Sequence, residues 1–371
     1  MFEQIQLFPN GTEGYRAHVC PAMLTSKSGA ILAFAEGRNS DPKNMGGDTG
    51  DIDIVLKRSL DNGKTWRPQQ VAARTGNDTD GNPAPVLDRQ TGTIWLFFCK
   101  NLADEGEDLI IEGKAPRTVW VTSSRDEGET WAEPKEITND VKKQSWTWYA
   151  TGPGQGIQLA SGRLVVACDH VEGAHPTGGY HDVPSSVALL SATGHSHLIY
   201  SDNHGENWHI GGIAQTGTNE SVVVETSDES LYFNCRNYVG EHRRAYAWSH
   251  DGGITFSESG WEESLPEPIC EASIIRFTDS KNHDKNRILF ANPASATHRE
   301  RMTVRISYDE CRTWSAGKVL HEDHSAYSGL AIGHDKSIYC LYDHGFGSSY
   351  DGLMLAHFDL EWLTDGADKL G

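Results

Sequence analysis

The chain has 371 residues, of which 37% are hydrophobic, with 38 glycines and a formal net charge of −20 at neutral pH. This charge argues against nucleic acid and against an anionic membrane surface as partners. No apolar run reaches the roughly 18 residues of a membrane span. An anionic substrate would therefore need a local cluster of arginines to overcome the field of the whole protein.

The N-terminal segment and the cysteines bear on the cellular compartment of the protein. The segment from Met1 to Asn10 lacks a basic stretch followed by an apolar core, which predicts a cytoplasmic protein. A chain trimmed of its signal peptide would look the same, and would then be secreted or periplasmic. Seven widely spaced cysteines without a CxxC pair predict reduced, mostly buried thiols.

Short strands follow one another along the chain. The predicted strands lie in ten runs rich in β-branched and aromatic residues and bounded by Gly, Asp and Asn. In chain order these runs are AILAFAEG, IDIVLKRS, TIWLFF, TVWVTSS, RLVVACD, SHLIYSD, SLYFNCR, RAYAWSH, MTVRISY and SIYCLYD. Two insertions, NLADEGEDLIIEGKAPR and VEGAHPTGGYHDVPSS, interrupt them. No linker marks a second domain, so residues 1–371 are predicted to form one domain.

Five octamers share the pattern Ser-x-Asp-x-Gly-x-Thr-Trp. They begin at Ser59, Ser124, Ser201, Ser249 and Ser307. Asp suits a tight turn because its side chain bonds nearby backbone N–H groups, and Gly accepts a positive φ. The third copy has Asn203 at the Asp position and the fifth has Cys311 at the Gly position, so these two turns are expected to be the most distorted. Repeats of roughly fifty residues with about four strands each predict a β-propeller.

The octamers occur together with the motifs FAEGR, TGDIDIVLKRS, WTWYATGPG, TNE, NCR, MTVRISYDE and SAYSGL. In this combination, from about residue 14 to 364, the chain resembles the exo-α-sialidase (neuraminidase) family with Asp-box repeats. The resemblance implies an all-β, six-bladed β-propeller of four-stranded blades. It also implies a retaining glycoside hydrolase that releases a terminal sialic (nonulosonic) acid from a glycoconjugate and uses no metal or other cofactor.

A tyrosine nucleophile is the first implication for the site. The anomeric carbon of a sialoside carries a carboxylate, which would repel a carboxylate nucleophile, and sialidases use Tyr instead. A phenol titrates near pH 10, so it needs an adjacent base. By the resemblance, Tyr327 is the nucleophile and Glu220 is its base.

The acid/base residue should be a carboxylic acid on a flexible loop. Asp48, Asp51 and Asp53 compete for this role in MGGDTGDIDIVLKRS. The family spacing selects Asp48, and the neighbouring glycines give its loop the freedom such a role requires. Asp51 and Asp53 are interpreted as strand-entry residues.

Bidentate arginines suit recognition of the substrate carboxylate. Arg236 and Arg299 match the second and third arginines of the family triad, with Arg301 and Arg305 competing for the last role. Arg38, at the end of FAEGR, matches an additional pocket arginine. Trp146, Trp148 and Tyr149 form either a stacking wall or part of the core.

The first arginine of the triad is missing. Where the family has Tyr-Arg-Ile-Pro-Ala, this chain has His18, Val19 and Cys20 before Pro21 and Ala22. The glutamate that braces the arginine in the family is replaced by Asp343. Arg16, through a short insertion in the alignment or from a different register, or His18 remain alternatives for the lost contact.

These features leave several functions open. The leading one is hydrolysis of a terminal sialic acid. A close variant is hydrolysis of another 2-keto acid sugar, such as Kdn or Kdo, in an altered carboxylate pocket. A catalytically weak carbohydrate-binding propeller is the alternative from another class, although such a module would not need Tyr327, Glu220 and Asp48 together. A polysaccharide lyase often uses a metal, and no His/Asp cluster with metal-ligand spacing is evident. The linkage and the oligomeric state do not follow from the motifs.

Overall fold

The structure is a computed structural model that describes residues 1–39, 49–177, 183–348 and 350–370. The strands are β1 (Phe2–Pro9), β2 (Ala17–Thr25), β3 (Ile31–Arg38), β4 (Ile52–Ser59), β5 (Gln70–Ala73), β6 (Thr79–Leu87), β7 (Ile94–Asn101), β8 (Thr118–Ser124), β9 (Lys135–Glu136), β10 (Trp146–Thr151), β11 (Ile157–Gln158), β12 (Leu164–Glu172), β13 (Gly194–Ser201), β14 (His209–Thr216), β15 (Thr218–Glu225), β16 (Leu231–Asn237), β17 (Arg243–Ser249), β18 (Glu258–Pro266), β19 (Ser273–Thr278), β20 (Arg287–Pro293), β21 (Glu300–Ser307), β22 (Lys318–Ile332), β23 (Ile338–His344) and β24 (Gly352–Phe358). The helices are α1 (Glu107–Ile111), α2 (Thr138–Val141), α3 (Val183–Thr193) and α4 (Leu360–Leu363). Each of the ten predicted runs contains a strand, so the all-β prediction is confirmed.

Antiparallel pairing joins the strands mainly in chain order. The four sheets have the orders β2-β3-β4-β6-β7-β8-β9, β10-β12-β13-β14, β15-β16-β17-β18 and β1-β24-β23-β22-β21-β20-β19, with β5 added to β4 and β11 to β12. The long strand β22 pairs with β21 through its first half and with β23 through its second half. The first strand, β1, pairs with the last strand, β24. The two ends of the chain therefore meet in one sheet.

Successive side chains of a strand contribute to different hydrophobic clusters. On β12, Val166 and Cys168 pack in a cluster with residues of β6 and β7, whereas Val165 and Ala167 pack against β16 and β17. Side chains of a strand alternate between its two faces, so a strand covered by neighbouring sheets on both faces is buried throughout. The core therefore lies between the sheets. All seven cysteines are buried free thiols, as predicted.

The five octamers form the same turn at equivalent hairpins. In the first, the Ser59 hydroxyl donates to Asp61 Oδ1 over 2.9 Å and accepts from the Gly63 N–H over 2.8 Å, and Thr65 N donates to Asp61 Oδ1 over 2.9 Å. Side-chain and backbone bonds thus replace solvent at a tight turn. Each closing aromatic residue packs against a hydrophobic cluster.

The expectation of distorted third and fifth turns is wrong. Asn203 Oδ1 accepts from Ser201 over 2.9 Å and from Asn207 N over 3.0 Å, as the aspartate does elsewhere. Cys311 adopts φ +67°, close to φ +75° of Gly63, and its N–H donates to Ser307 over 2.9 Å. An amide oxygen accepts the same bonds as a carboxylate, and the turn bonds hold Cys311 in the left-handed region.

The two insertions place helical segments beside one another. Helix α1 lies in the first insertion and α3 begins in the second. Ile110 and Ile111 of α1 and Leu190 of α3 share a buried cluster with Trp148 and Tyr238. None of the helices in the described residues is long and apolar enough to cross a membrane.

Candidate active site

One cavity is lined by residues from all four sheets. It has a volume of about 180 Å³. Its lining consists of Val19, Cys20, Arg38, Asn82, Glu107, Trp148, Ala150, Asp169, Asn219, Glu220, Arg236, Tyr238, Arg299, Tyr327, Asp343 and Tyr350. The strands β2, β6, β10, β15 and β22 supply about half of these residues. Side chains distant in sequence therefore converge because these strands all face one place.

Tyr327, Glu220 and Arg236 form a hydrogen-bonded cluster in this cavity. The Tyr327 hydroxyl donates to Glu220 Oε1, and Arg236 Nη1 donates to Glu220 Oε2. Arg236 Nη1 also donates to the Tyr327 oxygen over 3.1 Å. Burial, followed by the neighbouring Glu220 charge, raises the pKa of the Tyr327 phenol well above its ordinary value. The phenol is therefore protonated at rest, and the carboxylate that would take its proton already accepts its hydrogen bond.

Two arginines lie beside Tyr327: Arg236, which belongs to the cluster, and Arg299. Arg236 Nη2 donates to the Tyr238 hydroxyl over 2.6 Å. Arg299 Nη1 donates to the Tyr350 hydroxyl over 2.9 Å, and its guanidinium lies 5.6 Å from the centre of the Tyr327 ring. The structure thus brings Arg236 and Arg299 to the same side of the cavity as Tyr327.

The competing arginines lie elsewhere. Arg301 is exposed and faces Glu322, with Nε 3.3 Å from a carboxylate oxygen. Arg305 is buried, and its Nη1 donates to Asn292 Oδ1 over 3.2 Å. Neither lines the cavity in the part of the chain that the structure describes, which favours Arg299 in the register before MTVR.

Arg38 is a buried cation with a carboxylate beside it. Its Nε donates to Glu36 Oε2 over 2.8 Å, and only 2% of the residue is exposed. Glu36 Oε1 also accepts the backbone N–H of Asn82 over 2.7 Å. A buried pair with these additional bonds has its charge largely balanced, so Arg38 lines the cavity as part of an ion pair.

One corner of the cavity is formed by Val19, Cys20 and Asp343. Val19 is 1% exposed, and a bulge after it leaves Cys20 at φ +54°. Asp343 Oδ2 accepts the backbone N–H of Tyr327 over 3.1 Å. Burial raises the pKa of the Asp343 carboxyl to about 8. The three side chains of this corner are therefore mostly uncharged at neutral pH, and a nearby cation is Arg38, whose Nη2 lies 3.5 Å from Cys20 Sγ.

The two residues considered as substitutes for the lost arginine lie away from the cavity. Arg16 has an exposed side chain and is absent from the lining among the described residues. His18 is buried on the other face of β2, between Phe8 and Tyr15. Burial lowers the pKa of His18 to about 4, so its imidazole is neutral at physiological pH. The suggested contact from His18 is thus contradicted by its orientation.

The three candidate acids are Asp48, Asp51 and Asp53. Asp48 lies outside the described residues. Asp53 is buried and accepts from the Tyr15 hydroxyl over 2.5 Å and from Arg74 Nε over 2.8 Å. Asp51 lies beside Arg74, with Oδ1 3.6 Å from a guanidinium nitrogen. Both described aspartates are held at the start of β4, in agreement with their interpretation as strand-entry residues.

Of the aromatic motif, Trp148 reaches the cavity. The Arg117 guanidinium lies 4.1 Å from the centre of its ring. Trp146 and Tyr149 instead pack in a hydrophobic cluster, where Trp146 stacks on His170 with ring centres 3.6 Å apart. Alternation separates Trp148 from Tyr149, and a register shift between Trp146 and Tyr149 lets Trp146 join Tyr149 in the core.

Several cavity residues were missed by the sequence reasoning. Asn219 Nδ2 donates to Asp169 Oδ1 over 2.9 Å, and both residues line the cavity. Burial raises the pKa of Asp169 well above its ordinary range. Asn219 belongs to the quoted TNE motif and Asp169 to RLVVACD, so the motifs contained both residues without indicating their contact.

All-β repeats joined by Asp-box turns, with an arginine-lined cavity where their first strands converge, define an Asp-box repeat protein. A family model described as "BNR repeat-like domain" matches residues 29–340. The chain belongs to this family, and the relatives found within it are sialidases, whose fold is a β-propeller.

Two curated relatives span nearly the whole chain. The exo-alpha-sialidase of Aspergillus fumigatus is 29% identical over 389 residues, covering 96% of this chain and 87% of that protein. The sialidase of Micromonospora viridifaciens is 31% identical over 379 residues, covering 98% of this chain and 54% of that protein. The similarity therefore includes both the turns and the cavity.

Two solved structures agree with this fold. The Hadza microbial sialidase Hz136 superposes with a TM-score of 0.82 at 27% identity, covering 97% of this chain and 69% of that one. The leech intramolecular trans-sialidase superposes with a TM-score of 0.79 at 18% identity, covering 98% and 71%. The second likeness shows the fold alone.

Proposed function

We propose that the protein is a retaining exo-glycosidase that releases a terminal sialic or related nonulosonic acid from a glycoconjugate. The cluster of Tyr327, Glu220 and Arg236 is the observation that supports this most strongly. A phenol hydrogen-bonded to a carboxylate in a cavity with two further arginines suits attack on an anomeric carbon that bears a carboxylate. A protein that only bound the sugar would not need this pair.

The proposed reaction has two steps. In the first, the Tyr327 oxygen attacks the anomeric carbon while Glu220 takes the phenolic proton, and Asp48 protonates the departing oxygen. In the second, a water molecule attacks the anomeric carbon of the glycosyl-tyrosine while Asp48 takes its proton. The bond to the Tyr327 oxygen breaks, and Glu220 returns the proton to that oxygen. Two inversions give net retention. The role of Asp48 is proposed from its place in the motif, and the roles of Tyr327 and Glu220 also from their hydrogen bond.

Substrate binding is assigned to the arginines. Arg236 and Arg299 are proposed to hold the carboxylate, because charge-assisted bonds from guanidinium groups suit a planar anion. Arg38, paired with Glu36, is proposed to contact a ring substituent. No metal or other cofactor takes part in this scheme. The proposed partner is an acidic-sugar substrate, and the net charge supports neither nucleic acid nor an anionic membrane as a partner.

The sheet order supports a propeller of six four-stranded blades in a single domain. Five blades would be β2 to β5, β6 to β9, β10 with β12 to β14, β15 to β18, and β19 to the first half of β22, with the two-residue strand β11 added to the edge of β12. The sixth would consist of the second half of β22, β23, β24 and β1. In this arrangement the cavity lies where the first strands of the blades converge.

A second candidate is a hydrolase of another 2-keto acid sugar. The uncharged corner formed by Val19, Cys20 and Asp343 motivates it, because this part of the pocket differs from the family triad. N-acetylneuraminic acid, Kdn and Kdo all carry the same carboxylate, so a direct comparison of the turnover of their aryl glycosides decides between the two candidates. Arg16 remains a candidate only if its exposed side chain turns towards the cavity on substrate binding.

The proposal is tested by trapping the nucleophile. A 2,3-difluoro derivative of N-acetylneuraminic acid or of Kdn forms a slowly hydrolysed adduct with a retaining enzyme, and peptide mass spectrometry identifies the labelled residue. We expect the label on Tyr327, with turnover of the corresponding aryl glycosides. Absence of turnover and of label with both sugars and with Kdo would favour the binding propeller.

A further inference from the structure

The backbone at Tyr327 lies in a bulge of β22. The pairing of β22 with β23 shifts in register between Ser325 and Ser328, and a bulge leaves a residue outside the regular ladder of hydrogen bonds. The Tyr327 N–H donates instead to Asp343 Oδ2 over 3.1 Å. The Ser328 N–H donates to Glu271 Oε2 over 2.8 Å. Two side-chain carboxyl groups thus hold consecutive amides at the proposed nucleophile.

Side chains also bond other backbone groups of this part of β22. Within the described residues, the second half of β22 pairs with β23 along one edge, and no strand pairs with its other edge. Gln155 Nε2 donates to the Leu330 carbonyl over 3.3 Å, and Thr25 Oγ1 donates to the Ile332 carbonyl over 2.8 Å. Buried backbone polar groups need partners, so side chains of neighbouring sheets supply them where no strand does.

Glu271 is costly to bury. It is 0% exposed, and its other oxygen, Oε1, has no hydrogen-bond partner in the described part of the chain. Removing a carboxyl group from water without a full set of hydrogen bonds costs free energy. An apolar side chain would fill the same space without this cost, but it would leave the Ser328 N–H unpaired.

Glu271 ends a loop, residues 267–271, that is anchored below the cavity. Glu267 Oε2 lies 3.0 Å from Arg244 Nη1 in a fully buried ion pair. The Cys270 carbonyl accepts from the same guanidinium over 2.5 Å, and the Cys270 N–H donates to Glu267 Oε2 over 3.2 Å. A buried pair with these additional bonds holds the loop in one conformation.

The same loop contacts an arginine of the candidate active site. The Ile269 carbonyl accepts from Arg299 Nη2 over 3.0 Å. Two residues further on, Glu271 bonds the amide that follows Tyr327. One anchored loop therefore contacts both the proposed nucleophile strand and a proposed carboxylate-binding arginine.

We propose that Glu271 is a positioning residue that fixes the backbone at Tyr327 and thereby the approach of its phenol to the anomeric carbon, an inference that rests on the proposed function. The loop 267–271 then keeps Tyr327 and Arg299 at a fixed separation. A displacement of about 1 Å in a reacting group can cost about a hundredfold in rate. The anchor should therefore act on the chemical step more than on binding.

The first test removes the acceptor. Glu271→Met keeps the length of the side chain but has no oxygen for the Ser328 N–H. The rate constant for labelling of Tyr327 by the bound 2,3-difluoro sugar should fall about a hundredfold. The matching 2,3-didehydro sugar has no leaving group and reports binding alone, and its dissociation constant should change by less than about twofold.

A conservative variant and a control locate the effect. Burial raises the pKa of Glu271 well above its ordinary value, and the neutral acid has the shape of an amide. Glu271→Gln should therefore restore most of the labelling rate. The hydroxyl groups of Ser273 and Ser328 lie 2.8 Å apart. Ser273→Ala removes this side-chain contact but leaves the Ser328 N–H bonded, so it should label almost as fast as the parent.

Three results would overturn the positioning role. The first is an equal loss of labelling rate and of affinity in Glu271→Met, which would show a general loss of packing. The second is a Glu271→Gln variant as slow as Glu271→Met, and the third is a Ser273→Ala variant as slow. Glu271→Asp withdraws the acceptor by one methylene, and an unchanged labelling rate in that variant would overturn the proposal even if Glu271→Met did not fold.

Crystal structures separate the positioning role from the activity on which it rests. In Glu271→Met the Tyr327 oxygen should lie more than about 0.5 Å further from Glu220 than in the parent. Such a displacement, in a protein whose parent form neither cleaves nor is labelled by any of the sugars, would retain the positioning role and overturn the proposed activity. Labelling of the parent, with Tyr327 unmoved in Glu271→Met, would retain the activity and overturn the positioning role.

Discussion

Two buried carboxyl groups of the candidate active site, Glu220 and Asp343, differ in whether an arginine is paired with them. Beside Tyr327, the buried carboxylate of Glu220 is paired with Arg236. Elsewhere in the cavity, Val19 stands where the resemblance expects an arginine, and burial raises the pKa of Asp343 to about 8. A buried carboxyl without a directly bonded cation favours its neutral form. The two carboxyl groups of one cavity therefore differ in protonation because one has a paired arginine and the other does not.

The strongest test of the charged side is removal of the Tyr327 oxygen. Tyr327→Phe keeps the ring but removes the nucleophile, so kcat for an aryl glycoside should fall by about a thousandfold or more. Glu220→Gln should impair the same step, because an amide cannot take the proton. Tyr350→Phe is the control, since it removes a hydroxyl bonded to Arg299 that has no proposed part in proton transfer. Near-normal kcat in Tyr327→Phe would exclude Tyr327 as the nucleophile.

The second test concerns leaving-group protonation. Asp48→Asn should lower kcat for an alkyl or sugar glycoside by about a hundredfold or more, and far less for an aryl glycoside, whose leaving group needs little protonation. Steady-state kinetics on both substrates, with Asp51→Asn alongside, measure the difference. If Asp51→Asn instead shows the selective loss, Asp51 is the acid.

The third test introduces an arginine–carboxylate pair at Val19 and Asp343. Val19→Arg with Asp343→Glu should tighten binding of a sialic-acid-like inhibitor by about ten- to a hundredfold, the scale of one charge-assisted hydrogen bond. Val19→Arg alone should help less, because a buried arginine without its carboxylate is costly to desolvate. Inhibition constants for the two variants and the parent measure the gain. A single variant as good as the double one would show that no brace is required.

The fourth test follows the raised pKa of Asp343. Below pH 8 the carboxyl is neutral, and above pH 8 it is ionised and repels a bound carboxylate. Affinity for the inhibitor should therefore fall roughly fivefold as pH rises through 8, since like charges about 4 Å apart repel by about 1 kcal/mol even in water. Asp343→Asn can still accept the Tyr327 N–H and should remove this fall. An unchanged pH profile in that variant would assign the titration to another group.

The smallest effect is expected from Arg16→Ala. Because the side chain is exposed and lies outside the cavity lining, KM should change by less than about threefold, the scale of an exposed charge contact. A tenfold increase in KM would instead show that Arg16 reaches the substrate and takes the role of the missing arginine.

The sequence predicted the strands and the turns, and it singled out Tyr327, Glu220, Arg236 and Arg299, which the structure brings into one cavity, because each belongs to a local pattern. The contact of Asp169 with Asn219 joins two strands and has no local pattern, and the convergence of α1 and α3 on one cluster depends on tertiary packing. The turn at Cys311 was mispredicted for a related reason. Its hydrogen bonds, rather than its residue type, fix its conformation.

The pairing of β1 with β24 has a consequence for synthesis of the chain. Residues 2–9 are synthesised long before their pairing partners, which begin at Gly352. Until then β1 is an unpaired segment, and the edge it later covers does not exist. A pairing of such long range closes a very large loop and is slow to form. The segment 2–9 must therefore stay accessible until residues 352–358 have been made, and an interaction that captured it early would leave an open strand edge, which favours aggregation.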